Sequence, residues 1–296
     1  MPPRLIAIDL DGTLLGPEGV SEHDREAIGR ARAAGIEVVV ATGRAWLESR
    51  EALEAIGSDG VMIGAGGALL HNAADGRTLD RAVVHPEVLS RVATVLLDHG
   101  YVVHLLQDPE AAGFDYWMIG WASLNEATRW WFEKHHVRAR WVARLDQVET
   151  LDHTVRIGTT ADGEHLEPIA ESIRTQLGDR VTLQSWPAVV ANAKGGTIHL
   201  LEAFDRDVDK WTMLRRVAAT RGIRPEEIAT IGDGLNDIRM IREAGCGIAM
   251  AGADPRVRAV ADRETGEPGR GVGDAILDLL RQRRSGPDTG GSTLRG

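Results

Sequence analysis

Two short apolar runs near the start of the chain constrain its fold more than any other feature. Leu5 to Ile8 and Ile36 to Ala41 are continuously apolar, and the residues from about Ser21 to Ala34 between them have helical character. Strands that are buried on both faces and alternate with helices are typical of parallel sheets. The pattern therefore predicts strand, helix and strand in a doubly wound α/β sheet.

The predicted first helix has recognisable ends. Ser21 is a candidate N-cap, with the acidic residues Glu22 and Asp24 in the first turn, and Gly35 is a candidate C′ residue. A hydroxyl at the N-cap and a glycine after the last turn are common helix boundaries.

The same pattern returns late in the chain. Ile228 to Ile231 and Gly247 to Met250 are apolar runs on either side of a helical stretch from Leu235 to Glu243. We expect these strands to join the first two in a single Rossmann-like sheet.

The middle of the chain differs in character. It contains the strand-like stretches Val155 to Thr160 and Val181 to Ser185, with a helical stretch from about Glu164 to Leu177 between them. This order predicts an inserted α+β cap domain. The predicted domains are a discontinuous catalytic core at 1–83 and 206–284, a cap at 84–205, and a disordered polar tail at 285–296.

Composition excludes several classes of protein. The 296 residues include 34 basic and 44 acidic ones, and this net charge of −10 disfavours binding to nucleic acid. A single cysteine, Cys246, permits no internal disulfide, and no apolar run is long enough for a signal peptide or a membrane span. We expect a cytoplasmic enzyme, a monomer or homodimer, with no nucleic-acid or membrane partner.

Two carboxylates follow the first strand. Asp9 and Asp11 stand in the sequence Asp-Leu-Asp-Gly-Thr, at positions i and i+2 beyond the carboxyl end of the strand, where open α/β sheets bind ligands. Side chains at this spacing share a face of a strand, so two like charges would lie together. A divalent metal would compensate for them. An isolated Asp-Gly pair more often marks a simple turn.

Residues that suit the same kind of site follow other predicted strands. Thr42, Gly43 and Arg44 follow the second strand at the start of a helix, which suits an anion, and Lys210 begins another predicted helix. Gly232-Asp233-Gly234-Leu235-Asn236-Asp237 follows the late strand with two more carboxylates. Thr42 alone could be a helix cap and Lys210 a surface charge, but their convergence with the acidic residues favours one site.

These motifs resemble those of the haloacid dehalogenase superfamily of phosphohydrolases, and the position of the insert resembles the Cof-type branch, which has an α+β cap. The resemblance covers about 1–83 and 206–284. Two segments depart from the branch. Gly66-Gly67-Ala68 stands where Asn-Gly-Ala is common, and Asp209-Lys210-Trp211 where Ser-Lys-Gly is common.

The resemblance implies a magnesium-dependent phosphatase that acts on a small phosphorylated metabolite, such as a sugar phosphate. Asp9 would be the nucleophile that forms an aspartyl phosphate, and Asp11 the general acid and base. The remaining roles follow the family motifs. Asp9, the Asp11 carbonyl, Asp233 and Asp237 would bind Mg²⁺, and Leu10, Thr42, Gly43, Lys210 and Asn236 would bind phosphate.

The sequence is also compatible with other functions. A phosphotransferase or phosphomutase would use the same core, and a catalytically silent phosphate-binding protein could keep the fold. In the cap, the pairs Trp130-Trp131 and His135-His136 are more typical of packing and surface positions than of a binding site. Arg156, in a predicted strand, is a better candidate for contact with substrate.

Overall fold

The computed structural model describes residues 2–187 and 198–284, so the predicted disordered tail at 285–296 lies outside the described residues. The strands are β1 Leu5–Ile8, β2 Glu37–Ala41, β3 Val61–Gly64, β4 Leu69–Asn72, β5 Thr78–Arg81, β6 Val103–Gln107, β7 Tyr116–Ile119, β8 Ala139–Val142, β9 Thr154–Asp162, β10 Val181–Pro187, β11 Ile198–Asp205, β12 Ile228–Gly232, β13 Cys246–Ala249 and β14 Arg263–Glu264. The α-helices are α1 Glu22–Ala33, α2 Trp46–Ala55, α3 Pro86–Asp98, α4 Pro109–Ala112, α5 Glu126–Lys134, α6 Gly163–Leu177, α7 Lys210–Thr220, α8 Ile238–Glu243, α9 Pro255–Arg258 and α10 Gly271–Arg284.

The described residues fall into two compact units, and the first is built on a parallel sheet. It comprises residues 2–40, 52–58 and 215–284. Its strands lie in the order β14-β13-β12-β1-β2, and all of their pairings are parallel. β1 is buried along its whole length, as a strand covered on both faces must be. The predicted parallel sheet is thus confirmed.

Helix α1 begins and ends as the sequence predicts. The Ser21 hydroxyl accepts a hydrogen bond from the Asp24 amide at 3.0 Å, and Gly35 has a φ of 76° just past the last turn. The buried Asp24 carboxylate also accepts from the Gly273 amide at 2.6 Å. An amide at the start of α10 is thereby satisfied by a side chain of α1, which fixes the two helices to each other.

The second unit comprises residues 41–51 and 59–214 and contains two antiparallel elements. β3, β4 and β5 form a meander, and six strands form a larger sheet in the order β10-β11-β9-β6-β7-β8. Only the β7–β8 pair of this sheet is parallel among the described strand pairings.

The six-stranded sheet has apolar side chains on both of its faces. Val103, Leu105 and Ile157 pack with residues of α3 and α6 in one core. Leu106, Tyr116 and Val155 belong to a second core that includes Ala65, Ala68, Leu69 and Phe204. The second face of the sheet therefore packs against the segment that links β3 to β4.

One predicted helix differs from the structure. The stretch from Leu235 to Glu243 begins as a 3₁₀ turn at Leu235–Asp237, and the α-helix starts only at Ile238. The Asp237 carboxylate accepts hydrogen bonds from the amides of Asp233 and Gly234, so it holds the chain in a tight turn before the helix can begin.

Among the described helices, none is both long and apolar enough to cross a membrane.

Replacing Asp24 with alanine removes two hydrogen-bond acceptors and leaves the Gly273 amide without its side-chain partner. We expect the free energy of unfolding to fall by about 3 kcal/mol, the range expected for a buried charge-assisted hydrogen bond. Urea denaturation of Asp24→Ala measures this. Glu26→Ala, at an exposed position of the same helix, should change stability by less than about 0.5 kcal/mol. Equal losses of stability in the two variants would contradict the role given to Asp24 in fixing α1 to α10.

Candidate active site

Three carboxylates meet beyond the carboxyl ends of β1 and β12. The Asp9 amide donates to the Ile231 carbonyl at 3.0 Å, so pairing with β12 continues one residue beyond β1. Asp9, Asp233 and Asp237 each place a ligand oxygen within 4.8 Å of the others. Asp9 and Asp237 are buried, and Asp233 is half-buried. The structure thus brings together three of the predicted metal-binding residues.

Hydrogen bonds orient these carboxylates. The Thr13 hydroxyl donates to Asp233 Oδ1 at 2.6 Å. One oxygen of Asp237 accepts from the amides of Asp233 and Gly234, at 3.1 and 3.0 Å. The Asp237 side chain therefore stabilises the turn after β12 and is also a member of the carboxylate cluster.

Gly12 is required by the close approach of Asp233. Its φ is 75°, and a Cβ atom there would lie 2.2 Å from Asp233 Oδ2. A side chain at this position would displace the carboxylate, and the backbone conformation itself disfavours any residue except glycine. The Gly-Thr that follows Asp11 thus has two functions, since Gly12 admits Asp233 and Thr13 binds it.

The three carboxylates fit a hard divalent cation. Like charges held this close in a mostly buried place destabilise one another unless a cation or protons neutralise them. Carboxylate oxygens are the ligands that Mg²⁺ and Ca²⁺ prefer. The arrangement can therefore hold such an ion beside the Asp9 side chain.

The other residues of this unit that were predicted to belong to the site are close to these carboxylates along the chain. Asp11 is exposed, and among the described residues its side chain is not part of the carboxylate cluster. Leu10 is buried, and its carbonyl accepts from the Leu15 amide at 2.8 Å. Asn236 is half-buried in the 3₁₀ turn. The roles given to these three residues stay predictions.

Thr42 lies in the second unit, in a tightly bonded loop. Its amide donates to the Ile63 carbonyl at 2.9 Å, and its carbonyl accepts from Gly66 at 3.0 Å. Its hydroxyl, which is fully buried, accepts from the Arg44 amide at 3.2 Å. The loop of Thr42, Gly43 and Arg44 is therefore fixed against the turn that follows β3.

The same turn contacts the residue before Lys210. A Cβ atom on Gly67 would lie 2.1 Å from the Asp209 carbonyl oxygen and 2.7 Å from the Lys210 amide nitrogen. Lys210 is fully buried at the first position of α7. The structure thus brings Thr42 and Lys210 to two sides of one glycine turn.

Phe204 offers a physical reason for the glycine at position 66, where the Cof-type branch commonly has asparagine. Gly66 has a φ of 68°, and a Cβ atom there would lie 2.9 Å from the ring of Phe204. With that ring in place, any side chain at this position would be crowded.

Arg156 does not stand open to a ligand as the sequence suggested. Its guanidinium is buried, donates to the Gly43 carbonyl and the Tyr116 hydroxyl at 2.8 Å each, and pairs with Glu202 at 3.0 Å. It therefore fixes the loop after Thr42 to the six-stranded sheet. A basic residue within a predicted strand was the only sequence signal for it.

Sequence reasoning missed a second contact with this loop. The Trp131 indole donates to Glu48 Oε1 at 2.7 Å, while Glu48 Oε2 accepts from the Ala45 amide at 2.8 Å. The Arg44 guanidinium lies 5.2 Å from the centre of the Trp131 ring. Trp131 was expected to pack in a core, yet it binds polar groups of α2 and of the loop before it.

Burial changes the ionisation of groups around Arg156. Desolvation raises the pKa of the Glu202 carboxyl to about 7, although the Arg156 charge opposes the rise. Desolvation, followed by the charge of Arg156, lowers the pKa of His104 to about 3, so its imidazole is neutral at physiological pH. Desolvation also raises the pKa of Tyr116, which keeps its hydroxyl protonated.

The chain belongs to the haloacid dehalogenase-like hydrolase family, whose model matches residues 6–276. The predicted resemblance and fold class are therefore confirmed. The phosphatase YwpJ of Bacillus subtilis is 30% identical over 88% of this chain and 94% of its own length. The 5-amino-6-(5-phospho-D-ribitylamino)uracil phosphatase YcsE of the same organism is 28% identical over 88% of each chain. A solved haloacid dehalogenase-like hydrolase from B. subtilis superposes with a TM-score of 0.74 at 25% identity, covering 94% of this chain and 100% of that one.

Replacing Gly67 with alanine tests the contact with the start of α7. We expect Gly67→Ala to destabilise the protein by clearly more than about 1 kcal/mol, the ordinary cost of a Cβ atom at positive φ. Gly100→Ala is the matched control, because Gly100 also has a positive φ but no other described heavy atom within 4 Å of its Cβ position. Thermal unfolding of both variants measures the difference. A Gly67→Ala protein as stable as Gly100→Ala would disprove the steric argument.

Proposed function

We propose that this protein is a magnesium-dependent phosphatase that hydrolyses a small phosphorylated metabolite through an aspartyl-phosphate intermediate on Asp9. The observation that carries the proposal is the meeting of the Asp9, Asp233 and Asp237 carboxylates beyond β1 and β12. Asp9 is both the strand-end carboxylate of the first motif and a member of this cluster. A nucleophile beside a bound cation can approach a phosphoryl group whose charge the cation offsets.

The enzyme class has independent support. The chain is a phosphatase of the haloacid dehalogenase-like hydrolase family, in line with relatives such as the phosphatase YwpJ. Among the named relatives, one acts on 5-amino-6-(5-phospho-D-ribitylamino)uracil and another, from Archaeoglobus fulgidus, on phosphoglycolate. These two compounds are small phosphate esters. They support a small soluble phosphomonoester as the substrate class here.

In the proposed reaction the Asp9 carboxylate attacks phosphorus and the bond to the leaving alcohol breaks. Asp11 gives that alcohol its proton and later accepts a proton from the water that hydrolyses the aspartyl phosphate. The structure supports different environments for the two residues, since Asp9 is buried in the carboxylate cluster and Asp11 is exposed. An exposed carboxyl can exchange protons with solvent between the two steps.

Mg²⁺ would be bound by Asp9, the Asp11 carbonyl and Asp233, with Asp237 beside them. When bound, it would supply positive charge against the phosphoryl oxygens. One Asp237 oxygen already accepts two backbone amides, so this residue both shapes the loop and contributes to the charge of the site.

The proposed phosphate-binding groups are Leu10, Thr42, Gly43, Lys210 and Asn236. Two features support this for Thr42 and Lys210. Both are fully buried polar residues, and both contact the turn at Gly66 and Gly67. Fixed donors of this kind stabilise charge that spreads over phosphoryl oxygens in the transition state.

Asp9→Asn should abolish hydrolysis of p-nitrophenyl phosphate while leaving the melting temperature nearly unchanged, because the amide keeps the shape of the side chain but is a poor nucleophile. Steady-state assays and thermal unfolding test this together. Asp59→Asn, at an exposed position, is the matched control and should retain full activity. Activity of Asp9→Asn above about a hundredth of the wild-type rate would rule out Asp9 as the nucleophile.

Asp233→Ala should weaken Mg²⁺ binding by at least about tenfold, since it removes one of the hard oxygen ligands. Calorimetric titration of the purified variant with MgCl₂ measures the affinity without relying on turnover. Asp262→Ala, which removes a carboxylate outside the cluster, should bind Mg²⁺ as the wild type does. Unchanged affinity in Asp233→Ala would exclude this residue as a ligand.

A further inference from the structure

Three successive backbone carbonyls in the loop after β2 all accept hydrogen bonds. The carbonyls of Thr42 and Arg44 accept from backbone amides of the turn that follows β3, at 3.0 and 2.8 Å. The carbonyl between them, that of Gly43, accepts instead from the Arg156 guanidinium at 2.8 Å. Of these three bonds, the middle one alone depends on a side chain. A substitution at Arg156 therefore releases one peptide of the loop and leaves its neighbours bonded.

The peptide that joins Gly43 to Arg44 is held at both of its ends. Its carbonyl accepts from Arg156, and its amide, which is that of Arg44, donates to the Thr42 hydroxyl oxygen at 3.2 Å. The carbonyl and the amide of a peptide lie in one rigid plane, so a rotation that breaks one of these bonds also disturbs the other. Arg156 is thus linked to the Thr42 hydroxyl through a single rigid group.

The bond from Arg44 determines what the Thr42 hydroxyl can do. A hydroxyl has one hydrogen to donate and an oxygen that accepts. Because this oxygen accepts from the Arg44 amide, the hydroxyl hydrogen can be donated to an anion. Hydrogen bonds in a chain polarise one another, and a bond from a charged donor is stronger than one from a neutral donor. The Arg156 charge at the Gly43 carbonyl therefore makes the Arg44 amide a better donor, and the Thr42 hydroxyl in turn.

The Arg156 guanidinium is itself held in place. It donates to the Tyr116 hydroxyl at 2.8 Å and pairs with Glu202 at 3.0 Å, and its side chain is buried. Its strand, β9, lies between β6 and β11 in the six-stranded sheet. Side chains on paired strands are held more precisely than side chains on loops. A buried charge pair adds little to stability, so the precise placement of this arginine needs another explanation.

We propose that Arg156 is a positioning residue for phosphate binding: its guanidinium fixes the peptide between Gly43 and Arg44 and thereby directs the Thr42 hydroxyl toward a phosphoryl oxygen. The inference rests on the proposed phosphatase function, which assigns phosphate binding to Thr42 and Gly43. Arg156 acts through the peptide and does not contact the phosphate. Every residue in this chain of hydrogen bonds belongs to the second unit.

A double-mutant cycle between Arg156→Lys and Thr42→Val tests the proposal. The readout is the dissociation constant for inorganic phosphate, measured by calorimetric titration in the presence of Mg²⁺. Lysine keeps a positive charge beside Glu202 but lacks the planar fork that reaches several acceptors at once. We expect Arg156→Lys to weaken phosphate binding by about tenfold, the loss of a charge-assisted hydrogen bond. In the Thr42→Val background the same change should weaken binding by less than about twofold, because the hydroxyl on which Arg156 acts is already absent.

Two variants show whether the coupling belongs to the hydroxyl and to this loop. Thr42→Ser keeps a hydroxyl, so Arg156→Lys should still weaken binding about tenfold in that background. Arg138→Lys is the matched control, because Arg138 also donates to a backbone carbonyl, that of Gly113, and pairs with a carboxylate, that of Asp115, each at 3.0 Å. It should change phosphate affinity by less than about twofold.

Tyr116→Phe keeps the proposal testable if Arg156→Lys does not fold. It removes one acceptor of the guanidinium and leaves the ion pair with Glu202 intact. We expect it to weaken phosphate binding by about threefold, and this loss should also disappear in the Thr42→Val background. Equal losses in the two backgrounds, or no loss in either, would overturn the proposal for whichever of the two variants is measured.

The binding measurement separates this inference from the proposed function, since it requires no turnover. The expected coupling between residues 156 and 42, found in a protein that hydrolyses no phosphomonoester, would support the inference and refute the phosphatase function alone. Hydrolysis of p-nitrophenyl phosphate by the wild type, with equal phosphate affinity in the wild type and Arg156→Lys, would refute the inference alone.

Discussion

Mutual repulsion among Asp9, Asp233 and Asp237 is the constraint on which the rest of the first unit's site depends. Hydrogen bonds from Thr13 and from the amides of Asp233 and Gly234 orient two of these carboxylates, but donors of this kind do not cancel a net negative charge. A bound cation would offset this charge in a mostly buried place. The charge that these three residues bring to one place is therefore what suits the site to a divalent ion.

Close backbone approach is the second constraint, and it recurs in both units. Gly12 admits Asp233, and Gly67 admits the peptide between Asp209 and Lys210. In each case a Cβ atom would lie less than 3 Å from a residue of the proposed site or from the peptide next to one. The φ angle is positive as well. Glycine at these positions is thus a requirement of the functional groups beside it. A need for flexibility in the loop would not by itself require glycine at these positions.

Local signals were enough to predict four strands of the first unit's sheet, whereas the two-residue strand β14 was not predicted. β1, β2, β12 and β13 were recognisable as apolar runs, and α1 was marked by Ser21 and Gly35, because these features act over a few residues. The first motif could be placed at the end of its strand for the same reason. The 3₁₀ turn before α8 was missed, since it depends on hydrogen bonds that the Asp237 carboxylate accepts from two amides of its own loop.

Contacts between distant residues could not be predicted in this way. Arg156 and Gly43 are 113 residues apart, and Trp131 and Glu48 are 83 residues apart. Their pairing depends on strand register and on the docking of α5, which no local pattern encodes. Arg156 and Glu202 likewise lie beside each other only because β9 and β11 pair in one particular register. The sequence showed that some predicted strands contain polar residues, but it did not show which residues of other strands lie beside them.

The energetics of Glu202 connect this register to function. One of its oxygens pairs with Arg156, and the other is buried with no partner among the described residues. A buried ion pair adds little to stability even when every atom is satisfied, because removing two charges from water offsets their attraction. A half-satisfied pair is worse, and an apolar side chain at position 202 would serve folding better. Burial also raises the pKa of this carboxyl to about 7, although the charge of Arg156 opposes the rise. The pair of Arg156 and Glu202 is therefore better explained by the loop that Arg156 fixes through the Gly43 carbonyl than by a gain in stability.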